Sequence, residues 1–231
     1  MNLAFLSGDL LNPETNSDGE IKGDFLFSFS RWNKAQQAEE LVLGAIEALF
    51  PSQLCDKGFD DKNLLLQGSI NIEKDKNISV VTLNVSAVSY LKPDSEPVNS
   101  VAVAGRVGSI DVKHFERSSV ASFSVATRKF VQSNEPDWHN CQSRGWLTPV
   151  VERLEKGRVV SVTGALTLQE WSDRSTGLPR KKFVVEINRI TPLTKAEDYQ
   201  PEKIGSYTSA APEVKPVQVW QTVTLEELDR F

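Results

Sequence analysis

The feature that most constrains this chain is an internal repeat, in which the strand-like segments of residues 1–95 return in the same order in residues 98–193. Both halves alternate apolar and polar residues as half-buried strands do, for example at Phe25, Phe27 and Phe29. Self-similarity of this kind predicts two tandem copies of one fold. The matched segments are Leu3–Leu10 with Val101–Gly108, Phe25–Trp32 with Phe123–Phe130, Leu64–Ile72 with Val159–Leu168, and Ile78–Tyr90 with Phe183–Leu193.

Each copy also contains a segment with helical periodicity. In the second copy, apolar residues at i, i+3, i+4 and i+7 are followed by Gly157, which predicts a helix from Leu147 to Gly157. In the first copy, the same spacing predicts a longer helix that follows Trp32 almost at once, so that the third strand is expected to be missing or displaced. We therefore expect the first copy to be degenerate. The apolar positions are Leu147, Val150, Val151 and Leu154 in the second copy and Ala38, Leu41, Val42, Ala45, Ile46 and Leu49 in the first.

The charge of the chain is divided along its length. The formal net charge is −5, but residues 98–193 carry a net +5 between acidic segments of −7 (residues 1–97) and −3 (residues 194–231). Contacts with phosphates need a positive field, which predicts that a nucleic-acid ligand binds the middle segment. The chain has no apolar run long enough to span a membrane and no signal-peptide pattern, which favours a cytoplasmic protein without membrane contact.

The sequence gives little support to catalysis. His139 and Cys141 are close along the chain, but no third group that could orient them is apparent. No phosphate-binding GxxxxGK[ST] loop and no metal-binding carboxylate cluster is present, and Cys55 and Cys141 lack the spacing of a zinc site or a disulfide framework. We therefore expect no enzyme activity, no cofactor and no metal.

The second copy resembles a known family through five elements in order. They are the strand VNSVAVAGRVGSI, the strand ASFSVATRKF, a strand that opens with Asp137, Trp138 and His139, the helix from Leu147, and the hairpin RVVSVTGALTLQEWSDRSTGLPRKKFVVEINRITPL. In this order they resemble the core domain of bacterial single-stranded DNA-binding proteins. The resemblance implies an all-β chain of two tandem OB-fold domains, each a five-stranded Greek-key barrel with one helix, the first copy being degenerate. We expect a degenerate OB-like domain at 1–95, a DNA-binding domain at 98–193 and a flexible acidic tail at 194–231.

The candidate binding residues are aromatic side chains close to cations, since flat rings stack on unpaired bases and cations follow the phosphates. A packing role is the alternative for Trp171 and Trp138, and Trp32 would be a vestigial site. At Arg144 the family commonly has a phenylalanine, so this residue is either a stacking guanidinium or an ordinary surface arginine. Trp146, next to Gly145, could cap the entrance of the helix or contact a ligand, and we expect packing. The candidates are Trp171, Trp138, Phe130, Trp32, Arg128, Lys129, Arg144, Arg174, Arg180, Lys181 and Lys182.

The resemblance also implies protein contacts. His139 matches a family position associated with subunit contacts. The terminal LEELDRF, with Asp229 and Phe231, resembles the acidic tails by which the family recruits replication and repair partners, although Arg230 stands where the family usually has proline. A solvated acidic end is the alternative. Because the family assembles four barrels, a tandem chain is expected to form a homodimer.

The sequence thus predicts a cytoplasmic, nucleoid-associated protein that binds single-stranded DNA with little sequence specificity, protecting it in replication, recombination or repair. An OB-fold protein-interaction or primosome-type accessory factor with weak nucleic-acid binding is the alternative. An RNA-binding barrel is a third reading.

Overall fold

A computed structural model describes residues 1–33, 37–54, 62–75, 78–116, 118–128, 135–173 and 175–193, except for the side chains of residues 32, 33, 73–75, 78 and 79. Ten strands dominate these residues, with an α-helix, α1, at Thr148–Glu152 and 3₁₀ helices at Ser52–Leu54 and Gly145–Leu147. The strands are β1 (Asn2–Thr15), β2 (Ile21–Asn33), β3 (Ala38–Phe50), β4 (Leu64–Asp75), β5 (Ile78–Tyr90), β6 (Asn99–Phe115), β7 (Ser118–Arg128), β8 (Pro136–Arg144), β9 (Val159–Ser172) and β10 (Pro179–Pro192).

The strands close into two barrels of five. The first has the order β1-β2-β3-β5-β4 and closes because β4 pairs again with β1. The second repeats this order as β6-β7-β8-β10-β9 and closes between β9 and β6. Each barrel contains one parallel pairing, β3 with β5 and β8 with β10, and the other neighbours are antiparallel. The predicted all-β fold of two tandem OB barrels is confirmed.

The helix expected in the first copy is wrong. Residues Ala38–Phe50 form β3, which pairs with β2 over its whole length from Ala38 opposite Asn33 to Phe50 opposite Ile21. The burial of β3 alternates toward its C-terminal end, with Ile46, Ala48 and Phe50 inside. Because leucines also occupy the outward positions, the apolar residues imitate a helical period. Pairing with β2 decides for the strand. The expected loss of the third strand is therefore wrong as well, and the first barrel has the same five strands as the second.

The helix of the second copy is present but shorter than expected. After the 3₁₀ turn at Gly145–Leu147, α1 covers only Thr148–Glu152. Leu147 and Val151 are buried and Leu154 packs against the core, as predicted, whereas Val150 is exposed.

Close backbone contacts explain several glycines that recur in both barrels. A Cβ atom at Gly8 in β1 would overlap the carbonyl oxygen of Leu26, and one at Gly105 in β6 would overlap that of Ala126. Gly68 and Gly164 meet the carbonyl oxygens of the neighbouring hairpin strand in the same way. Only a residue without a side chain allows the strands to approach so closely.

The structural repeat differs slightly from the sequence repeat. Ala4 lies opposite Gly68, and Val101 lies opposite Gly164, so Ala4 rather than Leu3 corresponds to Val101. The sequence alignment is therefore displaced by one residue in the first strand. It is displaced by two in the second strand, because Phe25 lies opposite Leu10 as Val125 lies opposite Val107, so Phe25 corresponds to Val125 rather than to Phe123.

The two barrels are joined through their first strands. β1 pairs antiparallel with β6 over Asn2–Leu6, and the backbones of Met1 and Ala104 exchange hydrogen bonds of 3.0 and 2.7 Å. The Asn99 side chain adds a link, because its Nδ2 donates to the carbonyl oxygens of Ser28 in one barrel (2.9 Å) and Leu166 in the other (2.8 Å). These contacts fix the position of the second barrel on the first.

Candidate nucleic-acid interface

Strand β8 divides its residues between two surfaces. Because side chains alternate along a strand, the inward row is buried and the outward row is more accessible. The inward residues are Asp137, His139, Cys141 and Ser143, and the outward residues are Trp138, Asn140, Gln142 and Arg144. The outward row forms the centre of the candidate interface.

Trp138 lies over a glycine. A Cβ atom at Gly108 in β6 would overlap the Trp138 ring, so the indole rests directly on this backbone. The side chain of Ser124 borders the same point. Trp138 keeps 38% of its surface exposed, which leaves part of the ring accessible to a planar ligand.

The β9–β10 hairpin places a second tryptophan on the same face. Trp171 is 48% exposed and lies opposite Arg180, and two positions along each strand Gln169 lies opposite Lys182. These four residues share one face of the hairpin because of the strand period. Lys182 and Gln169 also line a cleft together with Asn140 and Gln142, so the hairpin and β8 form one continuous surface.

The loop of this hairpin is fixed by Asp173. One carboxylate oxygen accepts hydrogen bonds from the backbone N–H and hydroxyl of Ser175, at 2.9 and 2.6 Å, and from the N–H of Thr176 at 3.1 Å. These bonds to the ionised form lower the pKa of Asp173 to about 2. The turn is therefore held with an ionised carboxylate, which also lies 3.7 Å from Arg180.

The structure does not bring every candidate residue to this face. Lys181 lies opposite Glu170, on the side of the hairpin that carries Phe183 rather than Trp171. Arg128 is exposed at the end of β7, opposite Pro136 and close to Trp138 along β8. Phe130, Lys129, Arg174, Asp229 and Phe231 lie outside the described residues, as does the side chain of Trp32.

A polar groove between the tryptophans was missed by sequence reasoning. Gln142 accepts hydrogen bonds at its Oε1 from Gln169 (3.1 Å) and Arg144 (3.1 Å), and its amide donates to Ser122 at 3.5 Å. Ser122, Gln142 and Gln169 line a cleft of about 130 Å³. The signal was available in β7, where Ser122 and Ser124 alternate with core residues and so point outward. The groove offers hydrogen-bonding groups to the edges of a base.

Arg144 is an outward residue with a partner. Its Nε atom lies 2.8 Å from Glu186 Oε1 on β10, the strand that pairs with β8. Both side chains are partly exposed, so the pair is reached by solvent and contributes little to stability. An incoming phosphate would compete with Glu186 for this guanidinium.

His139 lies inside the second barrel, where only 2% of its surface is exposed. Its Nε2 atom is 2.9 Å from the Thr127 hydroxyl. Burial, with a smaller effect of the Met1 ammonium group, lowers the pKa of His139 to about 4. Burial also raises the pKa of the neighbouring inward thiol, Cys141, to about 12, so this cysteine is protonated at neutral pH.

The strand that carries His139 contacts the first barrel. The N–H of Ile72 in β4 donates to the buried Asp137 carboxylate at 3.3 Å.

The expectation that Trp146 packs is wrong. It is 77% exposed, more than any other large apolar side chain among the described residues. The residues on either side explain this, because Gly145 turns the chain out of β8 with a φ of +58° while Leu147 is buried.

The matching surface of the first barrel is aliphatic. Ile46 and His139 occupy corresponding positions, since each lies opposite the corresponding residue of the second strand, Phe25 or Val125. Ala45 therefore stands where Trp138 stands in the second barrel. Next to it on the outward row, Leu43 and Leu41 are 65% and 66% exposed. Ala45 and these leucines present methyl groups, whereas Glu47 and Leu49 occupy the places of Asn140 and Gln142.

None of the described helices has the length and apolar character needed to cross a bilayer. Within the described ranges, no three His, Cys, Asp or Glu side chains meet in a way that would hold a metal ion.

Comparisons with known proteins agree with this architecture. The family described as the single-strand binding protein family matches residues 98–193. The chain is 30% identical to "Single-stranded DNA-binding protein 1" of Nostoc sp. (strain PCC 7120 / SAG 25.82 / UTEX 2576) over 119 residues, 50% of this chain and 97% of the relative. With "Single-stranded DNA-binding protein 2" of the same organism, the identity is 32% over 50% of this chain and 89% of the relative.

A solved structure extends the likeness beyond one barrel. The wild-type single-stranded DNA binding protein from Thermus aquaticus superposes with a TM-score of 0.65 and 16% identity over 84% of this chain and 94% of that chain. At 16% identity the likeness shows the fold alone. The superposed part, 84% of this chain, is longer than one barrel. Taken with the sequence relatives, which match almost end to end, it leads to one conclusion: this chain belongs to the single-strand binding protein family.

Proposed function

We propose that the chain binds single-stranded DNA through the outer face of its second barrel, with little sequence preference, and that it acts by binding rather than catalysis. The observation that carries this proposal is the pair of exposed indoles, Trp138 and Trp171, on one surface with Arg180 and Lys182. Sequence relatives named as single-stranded DNA-binding proteins support it.

The proposed mechanism combines stacking with phosphate contacts. Each base stacked on an aromatic ring contributes about 1–3 kcal/mol, and every base has a flat face that can stack. Arg128, Arg144, Arg180 and Lys182 are the described cations proposed to follow the backbone. Lys129 and Arg174 are proposed to join them, and Phe130 is proposed as a further stacking ring. The logarithm of the binding constant should then fall with the logarithm of salt concentration with a slope of about −3 for four phosphate contacts and about −4 for six. Lys181 is less suited to a phosphate contact because it lies on the other side of the hairpin.

The test is tryptophan fluorescence during titration with oligo-dT at low and moderate salt. Stacking quenches indole emission, so the wild type should show quenching that weakens as salt increases. Trp171→Ala and Trp138→Ala should each reduce affinity by about fivefold or more. Leu43→Ala, on the matching face of the first barrel, is the control and should leave affinity unchanged. A flat titration of the wild type at both salt concentrations would refute the proposal.

The remaining organisation is proposed on the same basis. The chain would consist of a five-stranded barrel at 1–95 that lacks the aromatic, cationic face, the DNA-binding barrel at 98–193 and an acidic tail at 194–231. Two chains would form a homodimer of four barrels, and the tail with Asp229 and Phe231 would recruit replication or repair proteins. A cytoplasmic, nucleoid-associated location and a protective role in replication, recombination and repair follow from this function.

A protein-interaction factor of the primosome type is the second candidate, and one observation favours it. The outward row of β3 exposes Leu41 and Leu43, and large exposed aliphatic side chains mark contact surfaces more often than ligand sites for nucleic acid. If this candidate is right, light scattering should show a different molar mass for the Leu41→Ser/Leu43→Ser variant than for the wild type, and the wild type should bind DNA only weakly.

Titration with RNA of equal length tests whether the barrel binds RNA instead, which requires RNA to bind more tightly than DNA.

A further inference from the structure

The end of the groove beyond Arg144 carries an aromatic side chain that no part of the proposed site uses. Trp146 is 77% exposed and lies in the 3₁₀ turn that directly follows β8. This turn lies beside β7 and β10, the two strands that flank β8. Trp146 therefore lies just past the Arg144 end of β8, the end opposite Trp138.

The turn holds this indole in a defined place. Leu147 and Thr148, the next two residues, are buried, and the Thr148 hydroxyl donates to the carbonyl oxygen of Ser119 at 3.2 Å. The Thr148 N–H also donates to the carbonyl oxygen of Gly145. An exposed ring on an anchored turn loses little conformational freedom when a ligand covers it, which favours binding.

The surface next to Trp146 is continuous with the groove. Arg144, two residues before it, donates to Gln142 in the groove at 3.1 Å and contacts Glu186 at 2.8 Å. A cation beside an exposed ring is the combination that binds a nucleotide, because the cation contacts the phosphate while the base stacks. The same combination occurs at Trp171 with Arg180.

We propose that Trp146 is a further base-stacking residue, which extends the DNA path along β8 from Trp138 past Arg144. This inference rests on the proposed function. Arg144 lies six positions after Trp138 along β8, which corresponds to about 20 Å at about 3.3 Å per residue. Only an oligonucleotide that spans this distance can contact both Trp138 and Trp146, so the contribution of Trp146 should depend on length.

The experiment measures affinity for dT oligonucleotides from about 4 to about 30 nucleotides, a series that brackets the site size of one barrel. Trp146→Ala should bind the long oligonucleotides about fivefold or more weakly and the shortest as tightly as the wild type. Trp146→Phe should retain most of the affinity because it keeps an aromatic face. Tyr90→Ala, which removes an exposed ring from the first barrel, is the matched control and should bind like the wild type at every length.

The outcomes separate this inference from the function on which it rests. If Trp171→Ala loses affinity while Trp146→Ala matches the wild type at every length, the proposed function stands and the role of Trp146 is refuted. A change in oligomeric state of Trp146→Ala without a change in DNA affinity would refute it as well, and would assign the ring to a protein contact. If the wild type binds no oligonucleotide, the proposed function itself fails.

Discussion

The two barrels share one strand order and pairing, and they differ in the side chains on their outer surfaces. Gly8 and Gly105 allow the same close approach of first and second strands, and Asn2 repeats in the first barrel the bonds of Asn99 in the second. In each case the asparagine bonds the backbone of a residue two positions after a strand glycine, Ile70 or Leu166. Residues that allow the strands to pair are retained in both copies.

The differences concern side chains that do not determine the pairing. Inside the barrel, Thr127 and His139 form a polar pair where the first barrel has Phe27 and Ile46. Outside, Trp138 stands where the first barrel has Ala45. One backbone thus supports both an aliphatic surface and an aromatic, cationic one, and the function depends on the outward row.

The largest expected effect tests the close approach of the first and second strands, which both barrels share. Gly8→Ala and Gly105→Ala should each lower the free energy of unfolding by about 3 kcal/mol or more, because the added Cβ overlaps a carbonyl oxygen of the facing strand. Urea denaturation measures this. Gly177→Ala is the control, since its Cβ meets no atom within 4 Å and only its φ of +68° is unfavourable, at about 1 kcal/mol. A small loss of unfolding free energy for one of the two variants alone would show that the two barrels do not depend equally on this close approach.

The inner polar pair should make the second barrel sensitive to acid. The folded state holds the pKa of His139 at about 4, below its ordinary 6.5, so between these pH values the unfolded chain binds a proton that the folded chain does not. Stability should therefore fall by about 3 kcal/mol as pH decreases from 6.5 to 4.

Unfolding measured across this pH range, with His139→Gln beside the wild type, checks the acid effect. The variant should lose this part of the pH dependence, whereas His114→Gln, which removes an exposed histidine, should retain it. An unchanged slope in His139→Gln would assign the acid sensitivity to other groups.

The glycine under Trp138 should matter for binding. Gly108→Ala would push the indole off its backbone support and should weaken oligo-dT binding by about threefold to tenfold, less than removal of the ring. In the first barrel the corresponding position holds Leu11, whose side chain would cover the backbone on which an indole could rest. Fluorescence titration gives the affinity. If Gly108→Ala kept wild-type affinity while Trp138→Ala lost affinity, the contact between the indole and Gly108 would not be needed for binding.

The smallest expected effect concerns the Arg144–Glu186 pair, which the first barrel lacks because Pro51 and Asn84 occupy these places. Glu186→Gln should free the guanidinium, raise affinity about twofold to fivefold at low salt and steepen the salt slope by about 0.7. Glu170→Gln is the control, because it removes the same charge from the other side of the hairpin. Equal effects of the two variants would point to net charge rather than to Arg144.

Sequence patterns predicted the strands well where one face was apolar and the other polar. β7 is an example, since Ala121, Phe123 and Val125 are buried and the intervening serines face outward. The pattern failed at β3, because leucines on the outward row hide the strand period. It also failed at Trp146, because exposure there depends on the turn at Gly145 and on the burial of Leu147.

The sequence by itself determined the repeat, the all-β class, the family resemblance and the positive charge of the second half, because these depend on residue types and on order along the chain. The tertiary structure decided which side chains meet. It placed Trp138 on Gly108, Lys182 on the groove face and Lys181 on the opposite one, and Glu186 against Arg144. Those contacts arise from strand register across residues far apart in sequence, and a shift of one position would exchange the two faces.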